Sequence, residues 1–114
     1  MRSFPFIICF YFSYTTFALS MTGQEFFKYC KSSDELDIML GVGYVTAIAD
    51  ANLLGFQKSN SICIPVSTKR IELFHRVCDY YSDNPEALKQ LTALTVRRAY
   101  QKYFPCRVQN IDIG

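Results

Sequence analysis

The sequence has a single histidine, His75, and almost no net charge. Twelve basic residues stand against ten acidic ones, which gives a formal net charge of +2. Because so small an imbalance creates no strong field, the composition gives no support to binding of nucleic acid or of acidic substrates. No cysteine or histidine has a neighbour at CxxC or HxxxH spacing, so the usual zinc sites are also excluded. The GxSxG, HExxH and phosphate-cradling glycine motifs are missing as well.

One nucleophilic pair can still be drawn from the residues that remain. His75 and Cys78 lie three residues apart on a predicted helix, which is a spacing that a cysteine–histidine dyad could use. However, Cys78 falls on the apolar stripe of that helix and is expected in a disulfide, and no neighbouring group orients the imidazole. We therefore predict no catalytic, metal-binding or cofactor-binding residue, and no enzymatic activity.

The charged residues on the predicted helices have ordinary interpretations. The basic pairs Lys69-Arg70 and Arg97-Arg98 have acidic residues nearby in the sequence, so solvated helix faces explain them. Asp50 lies between Ala49 and Ala51. It is either an interior hydrogen-bond anchor or contact residue, or a plain polar position on the helix surface, and the sequence leaves both open.

Hydrophobic residues make up 50% of the 114 residues, and an apolar stretch follows Arg2 at the start of the chain. Small residues at Ala18 and Ser20 complete the pattern of a secretory signal peptide cleaved after Ser20. A membrane-spanning helix needs about 20 apolar residues, and the polar residues from Gln24 onward come too soon for one. We expect residues 1–20 to be the signal peptide, 21–106 one helical domain and 107–114 a C-terminal tail.

Capping signals and apolar periodicity predict an all-α domain of about four helices. Thr22 with Glu25, and Ser32 with Glu35, have the spacing of capping boxes and predict helices over about 23–31 and 34–54. Ser67 is predicted to cap a third helix over about 68–81. A fourth is predicted over about 85–103, with proline at its first position.

The three longer helices each have apolar positions that we expect to be buried. They are Leu36, Met39, Leu40, Val42, Val45, Ile48, Ala49 and Leu53 in the second helix, Ile71, Phe74, Val77, Cys78 and Tyr81 in the third, and Leu88, Leu91, Leu94, Ala99 and Tyr103 in the fourth. Glycine inside a helix costs about 1 kcal/mol relative to alanine. Gly41 and Gly43 in the second helix therefore predict close approach of another helix.

Four cysteines remain when the predicted signal peptide is removed, and an even number in a small exported domain is typical of disulfides. A tight turn near residue 83 would pack the third and fourth helices antiparallel. Cys106 then faces back towards Cys63, whereas Cys78 lies too near the turn to reach it. We therefore predict the bridges Cys63–Cys106 and Cys30–Cys78.

One ordered series of motifs resembles a known family. Gly43-Tyr44-Val45-Thr46-Ala47 is followed by Asp50, and then come Cys63-Ile64-Pro65, Asn84-Pro85 and Phe104-Pro105-Cys106. Their order and spacing resemble the Rap/Tai family of immunity proteins, which protect bacteria against amidase effectors of type VI secretion. The resemblance extends from about Thr22 to Cys106. Structural roles are implied for the motif residues Gly43, Tyr44, Asp50, Pro65 and Pro105.

The chain departs from the family pattern at four positions. Gly41 stands where the family usually has a cysteine, Ala47 replaces a glycine, Asn84 replaces a histidine, and Cys78 is additional. One cysteine lost and another gained suggest that Cys30 has exchanged its partner, in agreement with the pairing given above.

The resemblance implies a small periplasmic protein, often dimeric, that binds a peptidoglycan amidase effector and blocks its active site. It implies no nucleic acid partner and no membrane contact after the signal is cleaved. We expect the effector contacts in the loop and the turn between helices, at Gln57, Lys58, Asn60, Asp83 and Asn84. The alternatives are an acid-stress chaperone of the HdeA type or another periplasmic binding protein with the same fold.

Overall fold

The computed structural model describes residues 21–54 and 61–106, which form four α-helices and one 3-10 helix. The α-helices are α1 (Gly23–Lys31), α2 (Glu35–Leu53), α3 (Arg70–Asp83) and α4 (Thr92–Tyr103), and the 3-10 helix Pro85–Lys89 lies between α3 and α4. In the described part of the chain the only β pairing is an isolated bridge between Thr22 and Leu91. The all-α prediction is confirmed. The predicted signal peptide lies outside the described residues.

Helix α1 begins as its capping box predicts. The Thr22 hydroxyl accepts from the Glu25 backbone N–H at 3.3 Å, and the Glu25 carboxylate accepts from the Thr22 N–H at 3.0 Å. Gly23 packs directly against the 3-10 helix, because a Cβ added there would lie 2.6 Å from the Ala87 carbonyl oxygen. This contact holds the start of α1 against the segment that precedes α4.

The predicted caps of α2 and α3 are wrong. Asp34, not Ser32, caps α2 and accepts from the Leu36 N–H at 3.3 Å; the Ser32 hydroxyl instead accepts from the Asp34 N–H and donates to Asp37. Helix α3 begins after Lys69 without a side-chain cap. Ser67 lies inside a turn closed by the Thr68 N–H on the Pro65 carbonyl, so it is too early in the chain to cap α3.

The predicted fourth helix is two helices. Its first turn is the 3-10 helix Pro85–Lys89, and the chain is extended at Gln90 and Leu91 before α4 begins. There the chain pairs with the residues before α1: Gly23 N–H donates to the Gln90 carbonyl and Thr92 N–H to the Met21 carbonyl, both at 2.8 Å. The sequence pattern of this segment is helical throughout, but its pairing with residues about seventy positions earlier in the chain interrupts the helix.

The core lies between α1, α3 and α4, with one face of α2 against it. Its largest buried side chains are aromatic, Phe26, Tyr81 and Tyr100, and Phe26 contacts the rings of Tyr44 and Phe74 at centroid distances of 5.9 Å. Cys30–Cys78 joins α1 to α3, and Cys63–Cys106 joins the segment before α3 to the end of α4. Both predicted disulfides are confirmed.

Several apolar side chains predicted to be buried are exposed instead. They are Leu36, Met39, Leu40 and Leu53 on α2, Ile71 on α3, and Leu91 and Leu94 at the start of α4. The first four form the larger departure, because all of them lie on one helix.

Candidate functional site

The outer face of α2 is apolar and largely exposed in the described structure. We define the α2 outer face as Leu36, Met39, Leu40, Gly43 and Ala47, which share one side of the helix and are all exposed. The three large side chains are 57–68% exposed. Exposed apolar side chains that lie next to one another are typical of interaction surfaces. The prediction that Leu36, Met39 and Leu40 are buried is therefore wrong.

The two glycines of α2 have different environments. A Cβ at Gly41 would lie 2.4 Å from the Phe74 ring, so this glycine allows α2 and α3 to approach closely, as predicted. A Cβ at Gly43 would have no atom within 4 Å. The close approach predicted at Gly43 is therefore not made within the described chain.

Helix α2 is also long and apolar enough to cross a membrane, judged by length and composition alone. An 18-residue stretch of this helix has a mean hydropathy of 1.3, and 11% of that stretch is buried. Core helices of globular proteins meet the same criterion. Helix α2 differs from such core helices because little of its apolar surface is packed against the rest of the described chain.

Charge is distributed unequally between α2 and α4. The α2 segment carries the N-cap Asp34 together with Glu35, Asp37 and Asp50, and it has no basic residue. Helix α4 carries Arg97, Arg98 and Lys102 and has no acidic residue. A partner that docks on α2 is therefore favoured if it is basic around an apolar centre.

A groove of about 680 Å³ lies between the carboxyl-terminal half of α2 and the segment that leads into α3. We call this the α2–α3 groove. Ile62 and Leu73 form its buried floor, and the exposed side chains of Leu53 and Val66 line its rims. Asp50 and Arg70 line both this groove and a second concavity beside the α2 outer face, so the two surfaces adjoin.

Two polar atoms in the groove lack partners. The Thr46 hydroxyl oxygen and the Asn52 side-chain oxygen are buried, and neither makes a hydrogen bond within the described chain. An unpaired buried oxygen costs about 1–3 kcal/mol.

The backbone beside the groove also has unpaired groups. In the described part of the chain, residues 62–66 make two backbone hydrogen bonds: Cys63 N–H donates to the Phe104 carbonyl, and the Pro65 carbonyl accepts from Thr68 N–H. The N–H and C=O of Ile64 have no partner there. Since Ile64 lines the groove, these groups are available to a bound chain.

Asp50 is exposed and lies at the junction of the two surfaces. This exposure excludes the interior anchor, and the contact residue and the plain polar surface position both remain. Asp50 also affects the core: burial raises the pKa of the Tyr100 phenol, and the Asp50 charge raises it further. The Tyr100 hydroxyl donates to the Val45 carbonyl, which ties α4 to α2.

The remaining motif residues support the fold locally. Tyr44 packs its ring on Phe26, and burial raises its pKa, with a smaller contribution from Tyr81. Pro65 closes the turn before α3. Pro105 lies between Phe104, which pairs with Cys63, and the bridged Cys106.

The predicted contact residues are only partly described. Gln57, Lys58 and Asn60 lie outside the described residues. Asp83 is exposed at the end of α3, and the Asn84 amide donates to the Tyr80 carbonyl at 3.0 Å. Asn84 therefore helps to end α3.

The structure brings no reactive cluster together around His75. Cys78 is bonded to Cys30 and has no free thiol, so the dyad drawn from the sequence does not form. His75 is exposed beside the Phe74 ring. Among the residues that the structure describes, no group of three or more histidine, cysteine or acidic side chains could hold a metal ion.

Sequence reasoning missed four groove residues: Thr46, Asn52, Ile64 and Arg70. Arg70 was interpreted as part of a solvated basic pair, and Ile64 only as part of a motif. The signal that could have found the site is the composition of α2, which is apolar around most of its circumference and has no basic residue.

Comparison with known proteins identifies a family but no individual relative. No curated protein and no solved structure matches the chain. The family model of Rap1a immunity proteins matches residues 22–106, which is the whole described domain except Met21. The match extends from the capping box of α1 to the second disulfide and indicates an immunity protein for a secreted effector. The chain belongs to the Rap1a immunity protein family.

Proposed function

We propose that the protein is a periplasmic immunity protein that binds and inhibits a peptidoglycan amidase delivered by type VI secretion. The observation that carries this proposal is the family match over residues 22–106. Immunity proteins of this kind bind a cognate effector, and the two disulfides are consistent with a compartment outside the cytoplasm.

Inhibition by binding fits the surfaces of the chain. The described residues present an apolar helix face, an open groove and polar atoms without partners, which are features of a binding surface. A protein with these features acts by covering a cleft on its partner. The acidic residues of α2 favour rapid capture of a basic effector surface. Loop residues Gln57, Lys58 and Asn60, and Asp83 with Asn84, stay proposed contacts.

The α2 outer face is the proposed interface of a homodimer. Gly43 and Ala47 lie four residues apart and leave a flat site between larger side chains at Leu36, Met39 and Leu40. Two identical helices can cross at such a site because each offers a small residue where the other approaches. A second copy also presents the same apolar chemistry, so both copies bury their exposed side chains at once.

An inhibition assay tests the proposed function. The oxidised chain from Met21 to Gly114 is mixed with each of a panel of purified type VI amidases, and cleavage of peptidoglycan peptides is measured. We expect one amidase to lose its activity at an equimolar ratio. Full activity of every amidase, or protection of many unrelated proteins at about pH 2–3 instead, would contradict the proposal and favour the chaperone.

A further inference from the structure

We propose that the α2–α3 groove binds an extended polypeptide segment of the effector, with apolar side chains and one basic side chain. This inference rests on the proposed function and names the part of the partner that docks. It adds a contact to the two that the sequence predicts, the loop from Gln57 to Asn60 and the turn at Asp83 and Asn84.

Main-chain pairing is the first reason to choose a polypeptide. The N–H and C=O of Ile64 lie beside the groove without a partner in the described structure. An extended polypeptide carries a donor and an acceptor on each residue, so one residue of the segment can pair with both groups of Ile64 at once. Pro65 follows directly and has no N–H, so the pairing is centred on Ile64 and ends there.

The apolar lining is the second reason. Ile62 and Leu73, at 5% and 4% exposure, form a floor that is already packed, while Leu53 at 76% and Val66 at 99% form rims that are almost fully open. A volume of about 680 Å³ falls within the usual range of binding pockets, about 300–1,000 Å³. One or two apolar side chains of the segment pack on Ile62 and Leu73, and the bound segment then covers Leu53 and Val66.

Polar atoms define the rest of the occupant. Thr46 and Asn52 line the groove, and their buried side-chain oxygens have no partner in the described chain, so a change of rotamer lets either one accept a hydrogen bond from the segment. Asp50 lies at the open end on a helix that has no basic residue of its own. A lysine or arginine of the segment therefore pairs with Asp50, and Arg70 on the opposite wall binds a carbonyl or carboxylate.

Substitution at the rim tests where the effector binds. Leu53→Asp places a charge on the groove, and Leu94→Asp makes the same change at an exposed leucine on α4, away from the groove. Binding to the amidase that the wild-type protein inhibits is measured by calorimetry. We expect Leu53→Asp to raise Kd by at least about tenfold and Leu94→Asp to change it less than about twofold.

Hydrogen exchange tests the mode of binding. On addition of the amidase, exchange of the Ile64 amide should slow by at least about tenfold, together with a continuous run of amides in the amidase. Equal Kd values for the two variants, or slowing at residues 82–84 without slowing at Ile64, would overturn the groove proposal while inhibition by the wild type stands. If the wild type inhibits no amidase of the panel, the proposed function fails and this inference fails with it.

Discussion

Two regions of the described structure, the core around α4 and the outer face of α2, show opposite relations between composition and burial. Helix α4 has twelve residues, and five of them are buried: Thr92, Thr95, Val96, Ala99 and Tyr100. Helix α2 has nineteen residues and is the more apolar, yet only Gly41 and Val45 are buried. The more hydrophobic helix is therefore the less covered one.

The difference shows that the position of a helix in the fold decides how much of it is buried, more than its hydrophobicity does. Helix α4 is polar on its outer side, so packing one stripe satisfies it. Helix α2 is apolar on both sides, and a domain of this size has enough core to cover one side only. The exposed apolar side of α2 then either lowers the solubility of the protein or binds a partner. The predictions below separate the packed region from the uncovered one.

The largest effect is expected from the bridge between α1 and α3. Changing Cys30 and Cys78 to alanine opens a loop with a sequence separation of 48 residues. The chain-entropy model gives a loss of about 4 kcal/mol in the free energy of unfolding, to be measured by urea denaturation. A loss below about 1 kcal/mol would show that the side-chain contacts and the remaining bridge, Cys63–Cys106, hold the packed region together without Cys30–Cys78.

A smaller loss is expected where α2 meets the packed region. Gly41→Ala forces a methyl group against the buried Phe74 ring, and overpacking of this kind costs about 1–3 kcal/mol. Combining it with Phe74→Leu should remove most of that coupling, because the smaller side chain leaves space for the methyl group. Simple additivity of the two single changes in thermal or urea unfolding would contradict the contact.

A feature of this structure can be predicted from the sequence when the residues that determine it lie close together in the chain. The capping box at Thr22 and the existence of the helices follow from spacings within short segments, and the disulfide pairing follows from the tight turn near residue 83; all of them are confirmed. The break at Gln90 has no local signal, since no glycine or proline marks it. It comes from pairing with Met21 and Gly23, far away in the sequence.

The candidate site was predicted less well for the same reason. The sequence points to Asp50 because it lies between two alanines and in a motif, but most of its neighbours in the groove come from another segment, 62–73. No periodicity in α2 states which of its apolar sides will be packed. The glycine at position 41 and the glycine at position 43 look equivalent in sequence, and only the position of Phe74 distinguishes them.

The link between α4 and α2 should be sensitive to alkaline pH. Burial, with help from Asp50, raises the pKa of Tyr100, so the folded protein keeps this proton at a pH where the unfolded chain loses it. Stability from this group is complete below about pH 10 and falls above it by up to about 1.4 kcal/mol per pH unit.

Urea denaturation between pH 9 and 11.5 measures this slope. Tyr100→Phe lowers stability at pH 8, because the hydrogen bond to the Val45 carbonyl is lost, but it should flatten the decline above pH 10. An unchanged slope in the variant would mean that other groups cause the alkaline loss.

The smallest and sharpest test is Gly43→Ala on the uncovered side of α2. Alanine is favoured over glycine inside a helix by about 1 kcal/mol, and here the added methyl group meets no atom within 4 Å. Unfolding at low protein concentration should therefore show a gain of about 0.5–1 kcal/mol in the monomer. The same methyl group stands where a second α2 would cross, so analytical ultracentrifugation should show a dimer weakened by at least about fivefold. Ala47→Gly is the matched change in the opposite direction and should lower monomer stability without blocking the crossing. If Gly43→Ala raised stability and left self-association unchanged, the α2 outer face would not be the dimer interface. A more stable monomer together with a weaker dimer is the result expected if that surface is open in the monomer and covered in the assembly.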